Sequence, residues 1–251
     1  MSGDFLTLLE KQGHPLPQLP TSIRLSPEGQ TVATTVVSFH YSKGVLIAGD
    51  RRATAGNYIM YDRADKVIEL DRFTVMAIAG SPATAFEMAR TLRHSFQYYR
   101  RSQLQPLSSE AKVRALGQLL KNNIGMSLQG VGAVVPILAL LDPAWEKPQL
   151  YFYDVMGAQF QAVDFSASGS GSPAVRSILQ FTNRWSGIPT SNMDETSAIR
   201  LALQLLDVAA ESDSATGGID RRTQIFPQIK LLEKSGLRSI SAETLQQLLP
   251  G

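Results

Sequence analysis

The stretch Ala33-Thr34-Thr35-Val36-Val37, taken with Gly49-Asp50-Arg51-Arg52-Ala53-Thr54 and with Lys66, sets the reading of this chain. The threonine pair opens an apolar, β-branched run, so a strand is expected over roughly 35–40. A short Ser-Lys turn leads to a second strand over roughly 44–50, which ends on the Asp-Arg-Arg cluster. Further strands are expected near 66–70 and 73–79. Helical spacing then takes over. Ala85, Met88, Ala89, Leu92 and Phe96 share one face of a helix from Pro82 to Ser102. Val113, Leu116, Leu119, Leu120 and Ile124 do the same from Ser109 to Leu128. Strands return at 133–141, 149–154 and 159–165. Pro173 opens a third helix, and a fourth runs from Asp194 to Ser212 with Ile199, Ala202, Leu205, Leu206 and Ala209 as its buried stripe. Strands near 227–232 and 237–239 and a tail helix over 241–249 complete the order. Strands and helices therefore come in blocks rather than in βαβ alternation. That argues for an α+β class with two sheets face to face and a helical layer outside each.

Residues 1–33 read differently. Asp4 to Glu10 is a short amphipathic segment, and Gly13, Pro15, Pro17 and Pro20 then interrupt regular structure, as in an extended leader. The 251 residues suit one large domain or two small ones, and 43% hydrophobic content supplies a sizeable core. A net charge of +2 with both signs interspersed points to no nucleic-acid or membrane partner. The absence of cysteine excludes a disulfide framework, a thiol nucleophile and a thiolate metal site, and is compatible with the cytoplasm. No apolar run has transmembrane length, and no secretion signal is read. His14, His40 and His94 are scattered, so neither a metal set nor a Ser-His-Asp arrangement emerges.

A threonine hydroxyl is a weak nucleophile that needs a nearby base. An α-amino group titrates near 8, so a threonine at a chain terminus carries its own base. A lysine beside it lowers the pKa of neighbouring groups and itself loses a proton more easily when buried near other cations. Lys66, with Arg52 and the carboxylate of Asp50 close in the fold, would form such a charge cluster. The oxyanion of acyl transfer needs backbone N–H donors. Gly80 follows an apolar strand, and Ser81-Pro82 then starts a helix with a cap and a first-turn proline, so an N–H at that junction is a candidate donor.

On these residues the chain resembles proteasome β-type subunits of the bacterial kind, from Thr34 to about Ile229. The resemblance implies a four-layer αββα sandwich of the N-terminal-nucleophile hydrolase class and a threonine endopeptidase activity without a cofactor. It places Thr34 at the nucleophile, Asp50 and Lys66 at the acidic and lysine positions, Arg52 at the nearby arginine and Gly80 at the oxyanion glycine. Gly169-Ser170-Gly171 matches the family's Gly-Ser-Gly, and Asp213-Ser214-Ala215-Thr216-Gly217-Gly218 its Asp-Ser-Ala-Ser/Thr-Gly-Gly, which adds Ser170, Asp213 and Thr216 to the site. It further implies self-cleavage between Ala33 and Thr34, so that 1–33 is a removable propeptide and 34–251 the mature domain. Implied partners are α subunits, seven-membered β rings stacked between α rings, polypeptide substrates and, indirectly, a ring ATPase. Ala53, Thr54, Ala64, Ile68, Ile78, Pro82 and Phe86 would line the first specificity pocket.

Two departures stand out: Ala33 replaces the family's usual glycine, and Ser81-Pro82-Ala83 differs from its common small-residue run. Two rival functions share much of the pattern. A two-component bacterial peptidase ring without α subunits carries a different residue pair where this chain has Arg51-Arg52. A non-catalytic ring subunit typically lacks the threonine or the lysine. Individually the motifs are weak. Asp50-Arg51-Arg52 alone reads as a solvated strand end. Gly169 to Ala174 also fits a loose dinucleotide fingerprint, but no βαβ unit surrounds it, and the bland reading is a turn with Ser172 as helix cap. Gly217 alone reads as a helix stop, and Asp142 and Asp154 as turn residues.

Overall fold

The computed structural model describes residues 34–249 apart from 56, 57, 143 and 146. The expected leader, with its short helix, His14 and Ala33, lies outside the described residues. The first strands are β1 (Thr35–Tyr41), β2 (Gly44–Gly49), β3 (Ala53–Ala55), β4 (Tyr58–Tyr61), β5 (Val67–Asp71) and β6 (Thr74–Ala77). Helices α1 (Pro82–Gln103), α2 (Ser109–Asn122) and α3 (Ile124–Leu128) follow, then β7 (Ile137–Leu140), β8 (Gln149–Tyr153), β9 (Gln159–Ala162) and β10 (Phe165–Gly169). The chain ends with α4 (Ser172–Trp185), α5 (Glu195–Ser212), β11 (Gln228–Glu233), β12 (Gly236–Ser239) and α6 (Ala242–Leu248).

Period-two alternation builds the layers. Val36, Val45 and Ile47 point inward from the first sheet and meet Val67, Val75, Ala77, Ile137, Ala139 and Leu150 of the second. Their neighbours Val37, Leu46 and Ala48 point the other way, onto Leu179 of α4 and Ala202 and Leu206 of α5. On the far side, Met76 and Leu138 pack against Ala85 and Leu92 of α1 and Leu116 of α2. Both faces of each sheet are thus covered, which is why β1 and β2 are almost continuously apolar. The sheets are antiparallel, in the orders β10-β1-β2-β11-β12 and β5-β6-β7-β8-β9, with β3-β4 as a separate hairpin. The expected helix–sheet–sheet–helix sandwich is observed.

The differences are local. The helix expected over 109–128 breaks at Asn123, whose amide Nδ2 donates to the Gly132 carbonyl at 2.7 Å and so ties the break to the following loop. The strand expected over 133–141 shortens to β7, and Val134 only bridges Gly80. The strand expected over 159–165 is two strands in different sheets. β9 is the edge of the second sheet, the chain crosses at Val163-Asp164, and β10 joins β1 in the first. Gly171, not Ser172, is the N-cap of α4, and Ser172 is its first helical residue. Helix α5 stops at Ser212 with Asp213 as its C-cap, before Gly217. Asp142 and Asp154 accept N–H bonds two residues on, as turn residues do.

Candidate active site

The topology gathers the candidate residues at one end of the sandwich. Thr34 precedes β1, and Asp50 follows the neighbouring β2, so the antiparallel pairing puts them side by side. The N–H of Asp50 continues that ladder by donating to the Thr35 carbonyl at 3.1 Å. Lys66 precedes β5 in the other sheet, and its carbonyl accepts from Ile78 N–H at 2.9 Å, two residues before Gly80. Ser170 follows β10, where its N–H donates to the Thr34 carbonyl at 3.0 Å. Asp213 to Thr216 belong to the loop after α5.

Asp50 is fully buried and accepts four hydrogen bonds. Its Oδ1 takes Thr35 N–H at 2.9 Å and the Lys66 ammonium at 2.7 Å. Its Oδ2 takes Arg52 N–H at 2.9 Å and Gly217 N–H at 2.8 Å. All the lone pairs of a buried carboxylate are thus used, which is what makes its burial tolerable. Lys66 is 4% exposed. Burial, opposed by the charge and hydrogen bond of Asp50 and reinforced by Arg52, pulls the Lys66 ammonium below the usual lysine range. Arg52 reaches over the loop after α5, its Nη1 donating to the carbonyls of Ser214 and Thr216 at 2.9 and 3.2 Å.

A second network fixes a proton direction. Gly171 N–H donates to Thr35 Oγ1 at 3.0 Å, and the hydroxyls of Thr35 and Thr216 lie 2.5 Å apart. Thr216 Oγ1 donates to Asp213 Oδ2 at 2.6 Å, and Ser170 Oγ donates to the same oxygen at 2.5 Å. A hydroxyl has one proton. Since that of Thr216 goes to Asp213, Thr35 must donate to Thr216. The chain runs from Gly171 through Thr35 and Thr216 to Asp213, with Ser170 joining from the other side. Burial alone would push the Asp213 carboxyl up. Its bonds from Ser170, Thr216 and the N–H of Ala215, with the Lys66 charge, outweigh this and hold it below the usual carboxylate range.

Two glycines make the close approaches possible. Gly169 has φ +99°, and a Cβ there would overlap the Thr34 carbonyl oxygen. Gly80 has φ +108°, and a Cβ would sit 2.1 Å from the Ala133 carbonyl oxygen. The bonds flanking the Gly80–Val134 bridge run from Ser81 N–H to Ala133 and from Val135 N–H to Ala79. In that arrangement the Gly80 N–H faces away from the bridging strand. Ser81 is the N-cap of α1 and Pro82 opens it, although the Ser81 side chain makes no cap hydrogen bond.

The expected pocket residues occupy several elements. Ala53 and the buried Thr54 lie on β3, and Ala64 is tied to Arg51, its N–H on the Arg51 carbonyl at 2.9 Å. Ile68 packs against the cluster that contains Ile78, and Pro82 and the exposed Phe86 lie on the first turns of α1. Sequence reasoning missed Thr35, Gly171 and Gly217 as members of the networks. The signal for Thr35 was the threonine pair itself. The N–H groups of the two glycines leave no mark in sequence beyond the glycines. Among the described residues no group of His, Asp and Glu could hold a metal ion.

A family model described as "Proteasome subunit" matches residues 31–221. The chain is 34% identical over 215 residues to a proteasome subunit beta of Acidimicrobium ferrooxidans, covering 86% of this chain and 76% of the relative. It is 35% identical to a proteasome subunit beta 2 of Thermomonospora curvata, covering 94% and 78%. It is also 35% identical to a proteasome subunit beta of Jonesia denitrificans, covering 88% and 70%.

Proposed function

The chain belongs to the proteasome subunit family, and from that premise we propose that it is a catalytic β subunit, a threonine endopeptidase whose nucleophile is Thr34. Self-cleavage after Ala33 frees the Thr34 amine and removes residues 1–33, leaving 34–251 as the mature domain. Thr34 Oγ attacks the peptide carbonyl, and its own amine takes the proton, directly or through water. Lys66, held by Asp50, keeps a positive charge beside that amine and lowers its pKa. The Gly80 N–H stabilises the oxyanion. The amine returns the proton to the leaving group, and water then hydrolyses the acyl-enzyme. Ser170, Asp213 and Thr216 orient the amine, and Arg52 holds their loop. Ala53, Thr54, Ala64, Ile68, Ile78, Pro82 and Phe86 form an apolar first specificity pocket.

The observation that carries this reading is the buried Lys66–Asp50 pair with Thr35 N–H on the same carboxylate. A buried lysine whose proton affinity is lowered, paired to a carboxylate that also holds the backbone next to Thr34, is the kind of arrangement that functional sites use. Membership of the family implies assembly into a proteasome core with α subunits. In the finer picture seven copies form a ring, two β rings stack between α rings, unfolded polypeptides are cut in the inner chamber of this cytoplasmic particle, and an ATPase ring acts through the α side.

The test is the mass and N-terminal sequence of the chain after co-expression with its α partner. A start at Thr34, and an unprocessed, inactive Thr34→Ala variant that still assembles, are expected. Normal trimming of Thr34→Ala would sink the self-cleavage step. A start at Met1 or Ser2 in an assembled ring would favour the non-catalytic reading, for which Ala33 in place of glycine is the motivating feature.

A further inference from the structure

The outer end of the second sheet carries a groove unconnected with the candidate active site. It lies between the end of β5, the start of β6, the last turns of α1 and the first turn of α2, and has a volume of about 840 Å3. Ligand pockets run from about 300 to 1,000 Å3. Leu70, Phe73, Phe96, Leu107 and Leu141 give it an apolar lining. Three guanidiniums, from Arg72, Arg93 and Arg100, stand around them.

The charges of this groove are unevenly satisfied. Each of its carboxylates has a hydrogen-bond or ion-pair partner. Asp71 takes the buried Lys112 ammonium at 2.7 Å, Glu69 has Lys230 at 3.8 Å, and Asp142 accepts from Ser109 Oγ at 2.7 Å and from Ala144 N–H at 3.0 Å. The arginines lack the converse. Arg93 spends both Nε and Nη2 on the Glu69 carbonyl oxygen. Arg72 donates to the Ser235 carbonyl and lies over the Phe73 ring. Among the described residues none of the three has a carboxylate partner. An apolar cleft rimmed by cations without counter-charges is complementary to a molecule with an apolar body and an anionic end.

We propose that this groove binds an amphipathic organic anion, an aromatic or branched apolar body bearing one carboxylate, sulfonate or phosphate group. The body lies over the half-buried Phe73 and Leu107, and the anionic group meets Arg93 and Arg100. The proposal does not depend on the peptidase reading, since none of these residues belongs to that site.

The probe is anilinonaphthalene sulfonate, which fluoresces on leaving water, titrated into the assembled protein beside its neutral parent, anilinonaphthalene. One saturable sulfonate site per chain is expected. The Arg93→Gln/Arg100→Gln double variant should weaken the sulfonate about tenfold and leave the neutral compound unchanged. Gln97→Glu, which adds a negative charge on the same lining without removing a contact, should weaken the sulfonate in the same direction. Raised salt should do likewise. Sulfonate binding that is absent, indifferent to these variants, or weakened only in parallel with the neutral compound overturns the proposal. So does binding to the isolated chain that vanishes in the assembled particle, because a partner subunit then covers the groove.

Discussion

At the scale of single residues, the site is organised by two carboxylates with opposite surroundings. Asp50 is sealed and must keep its four donors. Replacing Lys66 by Met removes the one charged donor and leaves the carboxylate to three N–H groups. Breaking a buried pair from one side costs about 3–5 kcal/mol, and the surviving N–H bonds favour the lower end. Urea unfolding of Lys66→Met should show a loss of about 3 kcal/mol, together with loss of peptide hydrolysis. An unchanged midpoint would mean that Asp50 does not depend on the lysine. Asp213 is more open, and its network is tied to ionisation. Its folded pKa is depressed, so its stabilising contribution is present above the unfolded value near 4 and is lost as pH falls through the folded value. Asp213→Asn should therefore unfold at lower urea than the parent chain at pH 7, and the gap should close below about pH 4. A gap independent of pH would show that the substitution costs shape rather than charge. Thr34, Asp50 and Lys66 were legible in sequence as candidates through the joint spacing and order of their motifs, each weak alone. The relay from Gly171 to Asp213 was not, because its order follows from which hydroxyl proton is already committed.

At the scale of elements, apolar periodicity made the long helices and the central strands legible, and it failed where burial gives no pattern. The β3–β4 hairpin carries Tyr58, Ile59, Met60 and Tyr61, all exposed, so no alternation marks it. Strand β10 is Phe-Ser-Ala-Ser-Gly, without a β-branched residue, and pairing with β1 rather than propensity makes it a strand. Helix α2 shows the reverse case, a charged residue inside a buried face. Lys112 is 6% exposed, and its ammonium donates to Asp71 at 2.7 Å and to Thr74 Oγ1 at 3.0 Å while lying over the Phe96 ring. This bolts α2 to the start of β6. Lys112→Met should cost about 1–3 kcal/mol, mainly because the fully buried Thr74 hydroxyl loses its partner. Adding Thr74→Val removes the orphaned group and should recover part of that loss. If the double variant is less stable than the single in thermal unfolding, the hydroxyl has another partner and the argument fails.

At the scale of the whole molecule, the fold leaves apolar surface that a lone chain has no use for. Phe181 and Trp185 near the end of α4, with Ile188 just beyond, are 62%, 75% and 58% exposed. Phe181 and Trp185 lie off the stripe of α4 that carries Val175 and Leu179, which pack on the first sheet. The inner side of the helix is thus already satisfied, and two large apolar side chains stand among the exposed polar residues Arg176, Ser177, Gln180 and Arg184. Contiguous exposed patches of this kind mark interaction surfaces, and a family that assembles into cores gives this one a purpose. Among the described residues no helix is long and apolar enough to cross a membrane, so α4 does not owe its apolar side to a membrane-spanning role. The double variant Phe181→Ser/Trp185→Ser should keep the circular dichroism and unfolding midpoint of the parent chain, since neither side chain supports the core. It should sediment at lower mass when co-expressed with the α partner, because the exposed faces of α4 no longer exclude water between copies. If the particle mass is unchanged, α4 faces solvent in the assembly and the contacts lie elsewhere, with the exposed β3–β4 hairpin the next surface to alter. If the chain instead unfolds, the two residues stabilise the subunit itself, and their exposure has been misread as availability.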